Sequence, residues 1–326
     1  MPTRVAIVGA GIAGLACADH LSPHVKDIVL FDKGRRPGGR LTSVEIDEFS
    51  WDIGAPCLVA HTPQFREQVT HWQKAGWVAP WPDGPREAMV GIPSMGSLVA
   101  AQCSRFNVRF GSMVRALTNV GGYWMVEGDD FRDGPFDSVA IAVPAEQAAP
   151  LLSLHDLDAA REAVSIRSAP SWTVMVAFSC PIGLEAPYTA ATSVFSSVIR
   201  NQAKPGRGTA ECWLLHANTQ WSLENLECEA QDVANRLFLA FGQTVGIALP
   251  TPSFLKAHKW RFAVPSSHLG ASIWNPRLRL GACGDWCMGS TIESAWLSGV
   301  QLGERMLGAC GTLDPNLSPQ EETHAP

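Results

Sequence analysis

The chain has 326 residues, 46% of them apolar, and a formal net charge of −6. This composition gives a globular chain with a sizeable core, filling one large or two ordinary domains. An acidic balance without a basic run excludes nucleic acid as an expected partner, and no apolar run approaches the roughly 18 residues that span a bilayer.

The N-terminus enters an apolar strand at Arg4–Val8 with no signal-peptide pattern ahead of it. Nine scattered cysteines, an odd number, read as reduced thiols of a cytoplasmic protein rather than a disulfide framework. The first strand runs into Gly9-Ala10-Gly11-Ile12-Ala13-Gly14, a GxGxxG followed by a helix over 15–21. A second apolar strand, Asp27–Phe31, ends at Asp32, eighteen residues past Gly14. Gly9 permits a tight turn, Gly11 lets backbone approach a pyrophosphate, and Gly14 lets helix and strand pack closely. The phosphates would sit on the free N–H groups of the helix N-terminus, and Asp32 would take ribose hydroxyls.

Residues 33–40, KGRRPGGR, are a basic glycine loop that brings Arg35, Arg36 and Arg40 past the ribose acid. Residues 41–46 alternate like a strand, and in Trp51-Asp52-Ile53-Gly54-Ala55 the glycine permits close backbone approach. Thr62-Pro63 starts an amphipathic helix carrying Phe65, Val69 and Trp72, and 77–85 reads as a loop. A helix is expected over 93–103, strands over 108–110 and 114–117, and a hairpin turn at Gly121-Gly122 leading to a strand over 123–126. Residues 136–143 form a nearly continuous apolar run with the look of one buried parallel strand. A helix over 147–160 follows, then strands over 172–178, 193–199 and 212–216 of a second sheet. The loop 201–208, NQAKPGRG, joins two of them, a long helix spans 225–243, and a strand spans 254–262. Residues 278–285 are a strand breaking at Gly284-Asp285, and a helix spans 291–307 with apolar positions at i, i+3, i+4 spacing. Cys283 and Cys287 form a CxxxC with no second ligand pair, so packing explains them better than a metal.

GAGIAG, FDKGRRPGGR, WDIGA and GDWCMGSTIESAWLSG, in that order, resemble the FAD-dependent amine-oxidase-like flavoproteins. Within that family, NQAKPGR, HKWRFAVP and the Gly-Asp-Trp make the chain most similar to the bacterial renalases. The resemblance implies an α/β fold: a Rossmann-like FAD-binding domain of the GxGxxG type with a second, mixed-sheet substrate domain, in the p-hydroxybenzoate-hydroxylase/amine-oxidase architecture. The expected division is 1–62, 95–146 and 265–311 for FAD and 63–94 and 147–264 for substrate, with a disordered tail over 312–326. It implies non-covalent FAD held by Gly9, Gly11, Gly14, Asp32, Lys33, Arg40 and Gly54, with the Val114 backbone on the adenine. Asp285 and the segment 292–295, with Ile292, Glu293 and Ala295, would hold the ribityl and pyrimidine end.

Renalase-like enzymes oxidise mis-reduced 2- or 6-dihydro isomers of NAD(P) and pass the electrons to O2, giving hydrogen peroxide. The expected partners are therefore a dihydronicotinamide dinucleotide and O2. Hydride transfer to a flavin needs no nucleophile and no metal from the protein, and the sequence presents no obvious catalytic triad or carboxylate pair. Asn201 and Trp260 are candidates to meet a nicotinamide, with Trp286 and Trp296 at the flavin edge and Arg207 and Arg261 for substrate phosphate. Where the family often shows Gly-Ala-Gln-Tyr, this chain has Gly54-Ala55-Pro56-Cys57, with His61 beyond it. Two alternatives remain: an amine oxidase or desaturase acting on another small molecule, and a non-catalytic flavin-binding redox sensor with Cys283 and Cys287 near the cofactor.

Overall fold

The first strand lies in the interior of a sheet, as a run apolar on both faces requires. In the structure, a computed structural model describing residues 2–184, 188–189 and 191–308, Arg4–Val8 pairs in parallel with Asp27–Phe31 and with Ser138–Ile141. Asn107–Arg109 extends this sheet beyond Asp27–Phe31, and Leu280–Ala282 and Ile273–Asn275 extend it on the other side, making six strands. Helix Ile12–Leu21 is buried along almost its whole length, between the sheet and the final helix Ile292–Met306. Small residues let the two helices touch: a side chain on Gly299 would collide with the Ala13 carbonyl. The chain's first and last helices therefore close one domain.

The second sheet has five antiparallel strands, in the order Tyr188–Thr189, Phe195–Arg200, Glu211–Ala217, Ser168–Phe178 and Phe254–Pro265. Its strands alternate between two apolar clusters, as a pleat requires. Trp213 and Leu215 pack with Phe241 and Leu237 of helix Ala230–Val245, whereas Cys212 and Leu214 join the cluster of the glycine helix. One face of this sheet is thus turned toward the dinucleotide domain. Phe65, Val69 and Trp72 of helix Pro63–Lys74 belong to that same shared cluster.

Several elements differ from their sequence reading. The run 136–143 is not one strand: Arg132–Phe136 pairs antiparallel with Tyr123–Gly128, and Ser138–Ile141 then turns into the parallel sheet. Asp137 sits at the switch, where its carboxylate accepts from the backbone N–H groups of Thr3 and Arg4 at 2.7 and 2.9 Å. The helix expected over 147–160 is two, Ala145–Ser153 and Leu157–Ser165, because the Asp156 side chain caps a new start at Ala159 N. Both pack in a cluster with Val139 and Ile141 of the six-stranded sheet. The long helix starts at Ala230 rather than 225, after a short helix Thr219–Glu224. The loop over 77–85 begins with Val78–Pro80, paired with Met89–Gly91. The expected tail over 312–326 lies outside the described residues.

Among the described residues no helix is long and apolar enough to cross a membrane, and no group of three or more His, Cys, Asp or Glu could hold a metal.

Candidate functional site

The glycine turn has the shape its sequence demands. Gly9 has φ +107°, and a side chain there would strike the Ala142 carbonyl; one on Gly14 would strike the Gly9 carbonyl. Gly11 faces open space: beyond the chain immediately around it, no atom of the described residues lies within 4 Å of where a Cβ would be. It is also the N-cap of helix Ile12–Leu21, and no side chain caps that terminus. The first-turn N–H groups therefore remain to meet an anion, which is the test a pyrophosphate must pass. Gly39, with φ +52°, approaches Gly11 from the second glycine loop. The Asp32 carboxylate accepts from Ala10 N at 2.8 Å and Gly34 N at 2.7 Å, which fixes both turns around it. Strand Val114–Val120 starts beside it, two residues after Ser112, whose N–H donates to the Asp32 carbonyl. Lys33 departs from expectation: its Nζ donates to Gln147 Oε1 at 3.1 Å on the exposed surface, turned toward helix Ala145–Ser153.

The far half of the cradle is joined to the near half by one ion pair. Arg40 donates through Nη1 and Nη2 to the two oxygens of Asp285 at 2.5 and 2.6 Å, and through Nη1 to the Ala263 carbonyl at 3.1 Å. Asp285 is buried, and a forked guanidinium–carboxylate contact is the strong form of such a pair. Gly54 lies against this junction, since a side chain there would collide with the Arg40 carbonyl, and Ala55 N donates to that same oxygen at 2.8 Å. In the last helix, Thr291 caps the N-terminus through Ser294 N, with Ile292 half-buried just inside. The Glu293 carboxylate is committed elsewhere. It accepts from His61 N at 2.9 Å and Thr62 N at 2.7 Å, anchoring the start of helix Pro63–Lys74, so only its backbone is left for a cofactor. Ala295 packs into the core.

Three of the four residues expected to meet the nicotinamide or flavin edge are structural. Trp286 is 1% exposed and donates Nε1–H to the Val143 carbonyl at 3.0 Å. Trp296 lies in the core with its ring 5.5 Å from that of Phe65. Helical spacing turns both inward, which an aromatic count cannot reveal. Asn201 is buried and uses its side-chain amide to hold a strand, donating to the Ser50 carbonyl at 2.9 Å and accepting from Asp52 N at 3.5 Å. Trp260 is half-buried and donates Nε1–H to the Ile53 carbonyl at 3.1 Å, beside Gly54, with the His258 ring 4.4 Å away. Arg261 is exposed and faces Glu227.

A buried charge cluster lies under Trp51–Gly54; the sequence singles out only its Arg207, for substrate phosphate, and that guanidinium is instead committed to Asp52 and to the Gly91 and Pro205 carbonyls. Asp52 Oδ2 meets Lys204 Nζ at 3.0 Å and Arg207 Nη2 at 2.5 Å, while Oδ1 accepts from Ser43 Oγ at 2.7 Å and Met95 N at 2.9 Å. All three charged side chains are at most 2% exposed. Burial pushes the Asp52 carboxyl up, but the two cations and their hydrogen bonds outweigh it and hold the group well below the usual carboxylate range. Burial, reinforced by Arg207, pulls Lys204 down against the pull of Asp52. The WDIGA motif and the NQAKPGRG loop supply these residues, but their pairing across about 150 positions leaves no local signal.

His216 lies within the field of this cluster. Burial, then Lys204, lowers its pKa to about 4. The unfolded chain therefore binds a proton between the ordinary value near 6.5 and pH 4 that the folded chain refuses, so stability falls as pH falls through that window. The expected loss is on the order of 3 kcal/mol by pH 4. Urea melts from pH 7 to 4 should show it, and His216→Gln should flatten the slope.

The cradle and the facing sheet define a two-domain dinucleotide flavoprotein. The family described as flavin containing amine oxidoreductase matches residues 74–307, and the NAD(P)-binding Rossmann-like domain matches residues 7–72. The chain belongs to the flavin-containing amine oxidoreductase family, and its cofactor is FAD. Over 64 residues it is 41% identical to a zeta-carotene-forming phytoene desaturase from Myxococcus xanthus, covering 20% of this chain and 12% of that protein. Over 52 residues it is 44% identical to mitochondrial protoporphyrinogen oxidase from Nicotiana tabacum, covering 16% and 10%. These matches span about an eighth or less of the relatives' length. A double mutant of putrescine oxidase superposes with TM-score 0.72 at 13% identity, covering 94% of this chain and 99% of that one. Cyclohexylamine oxidase from Brevibacterium oxydans gives 0.70 at 12% over the same shares. At such identities the likeness is one of fold.

Proposed function

We propose that the protein is an FAD-dependent oxidase of mis-reduced dihydronicotinamide dinucleotides, the renalase reaction. A 2- or 6-dihydro isomer of NAD(P) gives up a hydride, and with O2 and one proton the products are NAD(P)+ and hydrogen peroxide. Bound FAD supplies the hydride acceptor and the reaction with oxygen. The chain positions the cofactor through Gly9–Gly14 and the Arg40–Asp285 junction, and offers Trp260 beside Gly54 as an aromatic surface for a flat ring. Eight described cysteines, all unpaired, fit work in the reducing cytoplasm.

The observation that carries this reading is the charge behind Ile53 and Gly54. One carboxylate there faces two buried cations, leaving a net positive site. An alkylamine arrives protonated and is repelled by such a field; a neutral dihydropyridine ring carried on an anionic diphosphate is not. The exposed position of Tyr123 on its hairpin also argues against a tyrosine-walled amine site.

The test is anaerobic mixing of FAD-loaded protein with 2- and 6-dihydro-NAD(P) and, separately, with primary amines. Rapid bleaching of the oxidised flavin band by a dihydro isomer, and none by amines, is expected. Bleaching by amines alone, or by neither class, overturns the assignment.

A further inference from the structure

The face of the five-stranded sheet that looks toward the dinucleotide domain is apolar over much of its middle strands, with Lys256 and Ser171 toward the Phe254–Pro265 edge and one continuous polar row. Cys212, Leu214, Met175, Ala177 and Ile199 on that face join the shared core. Beside them, Ser197 pairs with His216, His216 with Thr173, and Thr173 with His258, so four polar residues cross four neighbouring strands in register. The row meets the cofactor side at its end: the His258 ring contacts Trp260, and Trp260 is bonded to the Ile53 carbonyl next to Gly54. Strands lie about 4.8 Å apart, so His216 stands about 10 Å from the Trp260 strand, with Thr173 between.

His216 is incompletely satisfied. It is 7% exposed, its Nδ1 is 3.0 Å from Ser197 Oγ, and its buried Nε2 has no hydrogen-bond partner among the described residues. A buried polar nitrogen without a partner is uncommon and calls for an explanation such as a ligand or a bound water. The ring is neutral at physiological pH, since burial holds its pKa near 4. A neutral imidazole bonded to a hydroxyl can adopt either tautomer, so Nε2 can donate or accept. A carboxamide carries both a donor and an acceptor and matches either form.

We propose that His216 Nε2, with Thr173 beside it, reads the carboxamide of a nicotinamide ring lying over this row, and so fixes which edge of the ring faces the cofactor. His216 is then a specificity residue of the site, contributing orientation rather than chemistry. This proposal rests on the dihydronicotinamide reading above.

The experiment uses the full, FAD-loaded chain and its His216→Ala, His216→Gln and Thr173→Val variants. Binding of NAD+ and of ADP-ribose, which lacks the nicotinamide, is read from perturbation of the flavin band. His216→Ala should weaken NAD+ about ten-fold, the size of one lost hydrogen bond, and leave ADP-ribose unchanged. His216→Gln, which keeps a donor and an acceptor, should recover most of the loss, and Thr173→Val should shift the ratio of rates for the 2- and 6-dihydro isomers. Flavin content and melting temperature report whether each variant is folded. If the wild-type flavin is reduced by the isomers but His216→Ala binds NAD+ as wild type does, or weakens both ligands equally, the carboxamide site falls and the reaction stands. If the wild type is not reduced by either isomer, the reaction falls and takes the subsite with it.

Discussion

Asp52→Asn is expected to destabilise the protein by about 3–5 kcal/mol, because it leaves Lys204 and Arg207 buried against each other without their counter-ion. At about 1.5 °C per kcal/mol for a chain of this size, the melting temperature should fall by roughly 6 °C. The loss is expected to shrink as the pH is raised, because Lys204, already pulled down by burial, sheds its proton more readily once Asp52 is neutral. Adding Lys204→Met to Asp52→Asn should recover part of the stability, since an apolar replacement of a buried ion pair is often tolerated while a half-broken pair is not. In the wild type the sign is that of a depressed acid: the contribution of Asp52 is complete above its unfolded pKa near 3.9 and is lost as pH falls through the lower folded value. Thermal melts across pH for the single and double variants measure all of this. A single variant melting within about 2 °C of wild type would mean the cluster carries no net stability.

That cluster also shows why the two ends of the site differ in legibility. The glycine turn is written in contiguous residues, because a strand, a tight turn and a helix start are local events whose steric needs only glycine meets. The loop Gly38–Arg40 and the strand ending at Gly284-Asp285 were likewise recognisable one at a time. That Arg40 grips Asp285 across 245 positions was not, because a salt bridge between distant loops has no periodicity. The same holds for Lys204 and Asp52, which the second sheet and the strand Phe49–Trp51 bring together. Aromatic residues misled in the opposite direction. Trp286 and Trp296 lie in motifs that end at the cofactor, yet the helices carrying them turn both rings inward. Chain order gave proximity to the site without orientation. His216 had no signal at all: its meaning comes from a row across four strands, visible only once the register is known.

Gly11→Val is expected to give a folded protein that retains no FAD. The substitution adds an isopropyl group where, beyond the chain immediately around it, the described residues place nothing within 4 Å, and the backbone there, at φ −80° and ψ −176°, is extended and open to any residue. The apo fold should therefore survive with native-like circular dichroism. The space filled is the approach to the free N–H groups of helix Ile12–Leu21, across which Gly39 faces Gly11, so the pyrophosphate would have to displace the new side chain or give up its donors. Gly14→Ala provides the contrast three residues later. Its single methyl would be driven into the Gly9 carbonyl oxygen, so it should damage the fold itself by separating helix from strand. The measurement is flavin absorbance per chain after gel filtration, paired with a far-ultraviolet spectrum. A colourless, folded Gly11→Val beside a poorly folded Gly14→Ala is the expected pair, because one glycine is kept for the ligand and the other for the chain. A Gly11→Val protein that leaves the column with full flavin stoichiometry would place the pyrophosphate elsewhere and undo the assignment of the cradle.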